Sequence, residues 1–145
     1  MRHAKGFGLI ELLVVLGLAG IAAGGAVPGV HRIQQEWALW TGTHMLESSL
    51  LWARTHAISA NDSLLLIVDH DGRGFCWKDP DGTRYDISVR SLPIGVCIVQ
   101  SPKHPLRFYQ HGNTAPAGTF VLQNEAGRYR VIVSVLGRVR VVRDK

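Results

Sequence analysis

The sequence predicts an α+β fold, in which a long N-terminal α-helix packs on a C-terminal antiparallel β-sheet domain. Three observations lead to this prediction. Residues 7–30 form an apolar run, residues 31–59 have apolar positions at helical spacing, and short β-branched runs separated by turn residues follow Asn61. The chain of 145 residues has room for one modest domain besides the long helix.

The apolar run from Phe7 to Val30 is long enough to cross a bilayer as a helix, and its one ionisable residue is Glu11. A core helix of a small domain would show a polar stripe at helical period, and a secretory signal peptide would have a shorter apolar region. Arg2 and Lys5 precede the run and favour a cytoplasmic N-terminus. We therefore expect residues 7–30 to form a transmembrane helix, with the remainder of the chain across the membrane.

Glu11 is unusual, because a carboxylate in hydrocarbon costs about 2.5–3.5 kcal/mol on insertion scales and needs a cationic partner. Lys5-Gly6-Phe7 followed by Glu11 resembles the class III signal of type IV prepilins. The resemblance implies that prepilin peptidase removes a leader of residues 1–6 by cutting between Gly6 and Phe7, and that Phe7 is then N-methylated. It also implies that the new amine of Phe7 pairs with Glu11 of a neighbouring pilin in the filament core. The alternative is an uncleaved membrane anchor.

Residues 31–59 continue as helix, and one side of that helix is apolar. Its members are Leu39, Leu46, Leu50, Ala53 and Ala57, at spacings of helical period. We expect this side to pack on the sheet.

Three tryptophans of the same helix, Trp37, Trp40 and Trp52, add aromatic surface. Trp37 and Trp40 follow the apolar run closely, where indoles often mark a membrane interface. Core packing and subunit contacts are the alternatives that the sequence leaves open.

The strands of the domain are expected within residues 64–142, and Asp71-Gly72 and Asp81-Gly82 resemble hairpin turns. The eight predicted strands are Leu64–Val68, Gly74–Lys78, Arg84–Val89, Ile94–Val99, Leu106–Tyr109, Thr119–Gln123, Tyr129–Val135 and Arg138–Val142.

Two cysteines, Cys76 and Cys97, each lie in a strand-like segment. If the domain is exported, this pattern predicts a single disulfide between them; in the cytosol both would be buried free thiols.

The sequence predicts no catalytic site, no cofactor and no metal site. The seven histidines include no pair at ligand spacing on a helix, and Asp69-His70-Asp71-Gly72 lacks the later bidentate Glu of a calcium loop. Nucleophile-elbow and phosphate-binding glycine motifs are absent from the sequence.

Positive charge is concentrated at the C-terminal end. Residues 1–127 are formally neutral, so the net charge of +5 lies in residues 128–145. A clustered basic end favours a polyanionic partner or a membrane surface. A hairpin about Leu136-Gly137 would place Arg138 and Arg140 on one face, near its tip. Arg128, Arg130, Arg143 and Lys145 would widen this patch if the register placed them on the same face.

The order of one long helix followed by strands resembles the GspH/FimT branch of minor pilins and pseudopilins, and the resemblance is clearest at the N-terminus and over residues 112–142. Gly137-Arg138-Val139-Arg140 resembles the GRxR signature of FimT-type pilins, which bind DNA during natural transformation. This implies phosphate contacts by Arg138 and Arg140 without base recognition. A solvated, charge-protected edge hairpin is the alternative.

Two hypotheses follow. In the first, the chain is a FimT-like minor pilin with a periplasmic domain of residues 31–145, anchored in the bacterial inner membrane and then incorporated into a pilus that captures extracellular DNA. In the second, it is a GspH-like pseudopilin of a type II secretion system with an assembly role alone. Both imply prepilin peptidase and other pilins as partners, and neither implies an enzyme.

Overall fold

The computed structural model describes residues 8–79 and 90–144, and over residues 22–29 it describes the backbone alone. The chain divides into two compact units, Met1–Gln34 and Gln35–Lys145. One α-helix, α1 (Leu9–Ala60), contributes to both units. The predicted order of one long helix followed by antiparallel strands is confirmed.

Both ends of α1 have recognisable caps. At the start, the Gly8 amide donates to Glu11 Oε2 at 3.1 Å, so the carboxylate satisfies an amide that the helix leaves without a partner. At the end, Asn61 adopts φ 53° and the Asp62 amide donates to the Ala57 carbonyl at 3.1 Å. This is a Schellman termination with asparagine in the left-handed position.

The first unit has exposed apolar side chains along α1. Leu9, Ile10, Leu13, Leu16 and Ile21 are each at least 60% exposed. Within residues 8–79 and 90–144, no helix combines the length and hydropathy required to cross a membrane.

The second unit has two antiparallel sheets. The first has the order β3-β2-β1-β5-β6, and the second has the order β4-β7-β8-β9. The strands are β1 (Leu64–Val68), β2 (Gly74–Lys78), β3 (Arg90–Ser91), β4 (Cys97–Gln100), β5 (Arg107–Phe108), β6 (Thr114–Ala115), β7 (Gly118–Asn124), β8 (Gly127–Val133) and β9 (Val139–Asp144).

The apolar side of α1 joins both sheets in one core, as the helical spacing predicts. Leu39, Leu46, Leu50, Ala53 and Ala57 are all buried in a cluster with residues from the two sheets. The large sheet residues of this cluster are Phe75, Trp77, Phe108, Phe120, Leu122 and Val131.

The tryptophans of α1 are not part of this core. Trp37 is 63% exposed, Trp40 47% and Trp52 42%. Trp37 and Trp40 meet edge to face with their ring centroids 5.8 Å apart, and Trp52 stacks on His56 at 4.9 Å. The core alternative for these side chains is therefore wrong, because they lie on the side of the helix that faces away from the sheets.

The strand prediction is correct for β1 and β2 and shifted for some of the others. Asp71-Gly72 lies in the hairpin connection between β1 and β2, as predicted. The Gly72 amide donates to the Asp69 carbonyl at 2.9 Å, so His70 and Asp71 are the central residues of that turn. β4 begins at Cys97 rather than Ile94, because the Val96 amide bonds to the Pro93 carbonyl in a turn. The predicted strand over residues 84–89 and the turn at 81–82 lie outside the described residues.

The predicted disulfide between Cys76 and Cys97 is not formed, since both are free thiols in the structure. Cys76 lies in β2 beside Trp77, whose side chain points into the core, so strand alternation puts the thiol on the other face of the first sheet. Cys97 precedes the buried Ile98 in β4, and its Sγ lies 3.8 Å from the Gln123 carbonyl oxygen. The two thiols lie on the outer faces of different sheets. The presence of each cysteine in a strand-like segment was therefore not enough to predict that they pair.

Candidate nucleic-acid interface

The basic C-terminal end forms a hairpin of β8 and β9 at the edge of the second sheet. Val131 lies opposite Val141 and Val133 opposite Val139, and these valines face the core. Ile132 lies opposite Arg140 on the other face. The register therefore decides which arginines share a surface.

Four arginines share the face of the sheet that points away from the core. Arg128 and Arg130 are on β8, Arg140 is on β9, and Arg138 precedes Arg140 by two residues, all four exposed. Arg143 lies on the opposite face, where its guanidinium is 5.8 Å from the Tyr129 ring centroid. Lys145 lies outside the described residues.

The four arginines differ in their partners. Arg130 Nη2 is 2.6 Å from Asp144 Oδ1, and Arg128 Nε donates to Gln123 Oε1 at 2.8 Å. Among the described residues, no carboxylate pairs with Arg138 or Arg140. Both guanidiniums are exposed.

The turn between the strands is longer than predicted. It runs from Ser134 to Gly137, with the Gly137 amide donating to the Ser134 carbonyl at 2.8 Å. The Ser134 amide then donates to the Arg138 carbonyl at 3.0 Å. A two-residue Leu136-Gly137 turn was expected. The longer turn still leaves Arg138 and Arg140 on one face, because they are two positions apart with Val139 between them.

Residues that the sequence did not suggest hold this turn in place. Thr114 is fully buried; its amide donates to the Val135 carbonyl and its hydroxyl to the Ser134 carbonyl, both at 2.8 Å. Arg54 of α1 donates from Nε to the Gly112 carbonyl at 3.1 Å and packs against Gly137. These partners are distant in sequence, so no local pattern indicated them.

The other predicted sites are at the N-terminus. Gly6 and Phe7 lie outside the described residues, whereas Glu11 is described and caps α1. In the part of the chain that the structure describes, no three His, Cys, Asp or Glu side chains are grouped to hold a metal ion.

Comparison with known families agrees with this arrangement. Residues 43–137 match the family described as Type II transport protein GspH. The chain belongs to this family. Residues 1–27 match the prokaryotic N-terminal methylation motif. The GspH-family protein is thus a minor type IV pilin or pseudopilin, a class of assembly subunits rather than enzymes.

Solved structures of the same fold include both a type IV minor pilin and a minor pseudopilin of a type II secretion system. The type IV minor pilin FimU of Pseudomonas aeruginosa is 17% identical with a TM-score of 0.64, covering 76% of this chain and 92% of that chain. The minor pseudopilin EpsH of the Vibrio cholerae type II secretion system is 16% identical with a TM-score of 0.56, covering 73% of this chain and 96% of that chain. Among curated proteins, no relative matches the sequence.

Proposed function

We propose that this GspH-family protein is a minor pilin that binds extracellular DNA for uptake, with Arg138 and Arg140 as its phosphate contacts. One observation carries the proposal: both arginines are exposed on the same face beside the hairpin turn, and neither is paired with a carboxylate among the described residues. Planar guanidiniums suit phosphate oxygens, and such contacts bind without selecting a base sequence.

Arg128 and Arg130 would extend the same surface toward the far end of the hairpin, but more weakly. The partner Asp144 offsets the charge of Arg130, and Arg128 is oriented by Gln123. We assign no DNA contact to Arg143, which lies on the other face near Glu36, with Nη2 4.0 Å from Glu36 Oε1.

The test is a salt titration of binding by the full-length chain in non-ionic detergent, on two duplexes of unrelated sequence. If Arg138 and Arg140 each contact one phosphate, replacing both with Ala should flatten the slope of log K against log salt by about 1.8, from about 0.9 per phosphate. Binding should weaken equally on both duplexes. Thermal stability should change little, because exposed substitutions usually stay within about 0.5 kcal/mol.

Arg143→Ala is the matched control, since it removes one positive charge from the opposite face of the same strand. Arg143→Ala should leave the slope of log K against log salt nearly unchanged. The single variants Arg138→Ala and Arg140→Ala should each flatten that slope. Equal effects of all three would mean that net charge, and not this face, governs binding. Failure of the unaltered chain to bind at low salt would refute the DNA role.

The second candidate is a structural pseudopilin of a type II secretion system. The family match and the likeness to EpsH are as consistent with this candidate as with the pilin. Gene neighbourhood distinguishes the two, because a pseudopilin lies among secretion genes and a DNA-uptake pilin among pilus or competence genes.

For either system we propose that residues 1–6 are removed by prepilin peptidase between Gly6 and Phe7, that Phe7 is methylated, and that residues 7–30 anchor the chain in the inner membrane before assembly. The methylation motif and the exposed apolar side chains of Leu9–Ile21 support this. Intact-mass measurement of the assembled protein should give a chain that begins at Phe7 with one added methyl group. A chain that still begins at Met1 would refute it.

A further inference from the structure

The turn that ends the β8-β9 hairpin has an unusual composition. Its central residues are Val135 and Leu136, in a turn that the Gly137 amide closes on the Ser134 carbonyl. Central turn positions normally hold Pro, Gly, Asn, Asp or Ser. Val135 is 57% exposed and Leu136 78%, so the domain core does not explain this apolar pair.

The backbone beneath the two side chains is held from several directions. Thr114 bonds to the carbonyls of both Ser134 and Val135, and Gly137 packs closely on the Gly112 carbonyl. The turn therefore presents Val135 and Leu136 from a fixed backbone. Little chain entropy remains to be lost when they enter a partner.

Cationic groups lie next to the apolar pair. Arg138 follows the turn directly, Arg140 comes two residues later, and the Arg54 side chain packs against Gly137. An apolar projection with guanidiniums beside it complements a ligand whose surface is anionic and whose interior is apolar. Nucleic acid has this chemistry, with phosphates outside and base faces that become accessible where stacking opens.

We propose that Val135 and Leu136 act as a wedge that enters an opened base step of the bound DNA while Arg138 and Arg140 hold the neighbouring phosphates. This inference rests on the proposed DNA-binding function and adds a mode of binding to it. Apolar side chains inserted between base steps partly unstack them, at a cost of a few kcal/mol per step. Because a mismatched step is already weakened, the wedge should favour DNA that contains one.

The test uses two duplexes that differ by a single central mismatch, each with the fluorescent base 2-aminopurine beside that position. We expect the full-length chain in detergent to raise the 2-aminopurine fluorescence and to bind the mismatched duplex roughly five- to tenfold more tightly. The double variant Val135→Ser/Leu136→Ser should lose the fluorescence rise and the preference. Its salt slope should stay that of the unaltered chain, because the arginines remain.

Ile94→Ser is the matched control. Ile94 is a fully exposed apolar residue in the turn that the Val96 amide closes on the Pro93 carbonyl. This turn leads into β4, which is at the opposite edge of the second sheet from β9. This variant should behave as the unaltered chain in both assays. Thermal melts of all variants establish that each is folded.

The possible outcomes separate the two proposals. A double variant that keeps the fluorescence rise and the mismatch preference would overturn the wedge and leave phosphate binding by Arg138 and Arg140 intact. The wedge would also be overturned if the double variant binds each duplex as tightly as the unaltered chain does but enters filaments poorly. That result would mean that the turn contacts another subunit. If the unaltered chain binds neither duplex at low salt, both proposals are refuted.

Discussion

At residue 137 the hairpin turn requires a glycine for two separate reasons. Its φ of 71° is a left-handed conformation that costs other residues about 1–2 kcal/mol. A β-carbon there would also overlap the Gly112 carbonyl oxygen and lie 3.1 Å from Arg54 Nε. The glycine of the GRxR motif thus has a structural role, since it lets the turn dock where Arg138 is presented.

Gly137→Ala should therefore lower the free energy of unfolding by roughly 2–4 kcal/mol, from backbone strain and the forced displacement of the Gly112 loop. Gly95→Ala is the control, because Gly95 also has a positive φ, of 83°, but no described atom lies within 4 Å of a β-carbon placed there. It should cost about 1 kcal/mol from the backbone alone. Urea unfolding measures both, and equal losses would contradict the close approach to Gly112.

At the scale of elements, helical period was a reliable guide to the buried side of α1. Leu39, Leu46 and Leu50 are all buried, because positions three, four and seven apart lie on one side of any α-helix. The same period places Trp37 about 200° around the helix axis from Leu39, on the other side of the helix. The exposure of Trp37 agrees with this position. The signal for exposed tryptophans was thus present in the sequence, although their aromatic character suggested a core.

Strands were less predictable where pairing rather than propensity creates them. β3 and β6 have two residues each, and both are strands because they pair with a longer or more central segment: Arg90 lies opposite Phe75, and Thr114 lies opposite Phe108. Neither segment contains a run of β-branched residues from which a strand could be predicted. The faces of Arg128, Arg130 and Arg143 depend on the register of β8 and β9, which the turn geometry sets. Arg138 and Arg140 were predictable together because a spacing of two is independent of register.

At the scale of the whole molecule, the two units differ in where most of their large apolar side chains lie. The second unit has a buried core of its own, whereas the large side chains of Leu9–Ile21 are, apart from Glu11, apolar and exposed. Exposed apolar surface of this extent is characteristic of segments that contact a membrane or other proteins. Assembly with neighbouring pilins would cover it, as the methylation motif and the family match indicate.

Glu11 is where assembly is most sharply testable, because its carboxylate has two possible roles. In the described chain it accepts a hydrogen bond from the Gly8 amide and caps α1. In a filament we propose that it pairs with the Phe7 amine of a neighbour. Glu11→Gln retains an oxygen that can accept the Gly8 bond but removes the charge, whereas Glu11→Ala removes both.

If the intersubunit charge pair governs assembly, both variants should insert into the membrane normally and enter filaments several-fold less than the unaltered chain. Insertion should not suffer, because neither replacement takes a charge into hydrocarbon. Quantitative immunoblots of sheared filaments and membrane fractions measure the two steps, and intact mass verifies that the leader has been removed from each variant. If Glu11→Gln is incorporated normally and only Glu11→Ala fails, the cap of about 0.5–2 kcal/mol would account for the requirement, and the charge pair would be excluded as its cause.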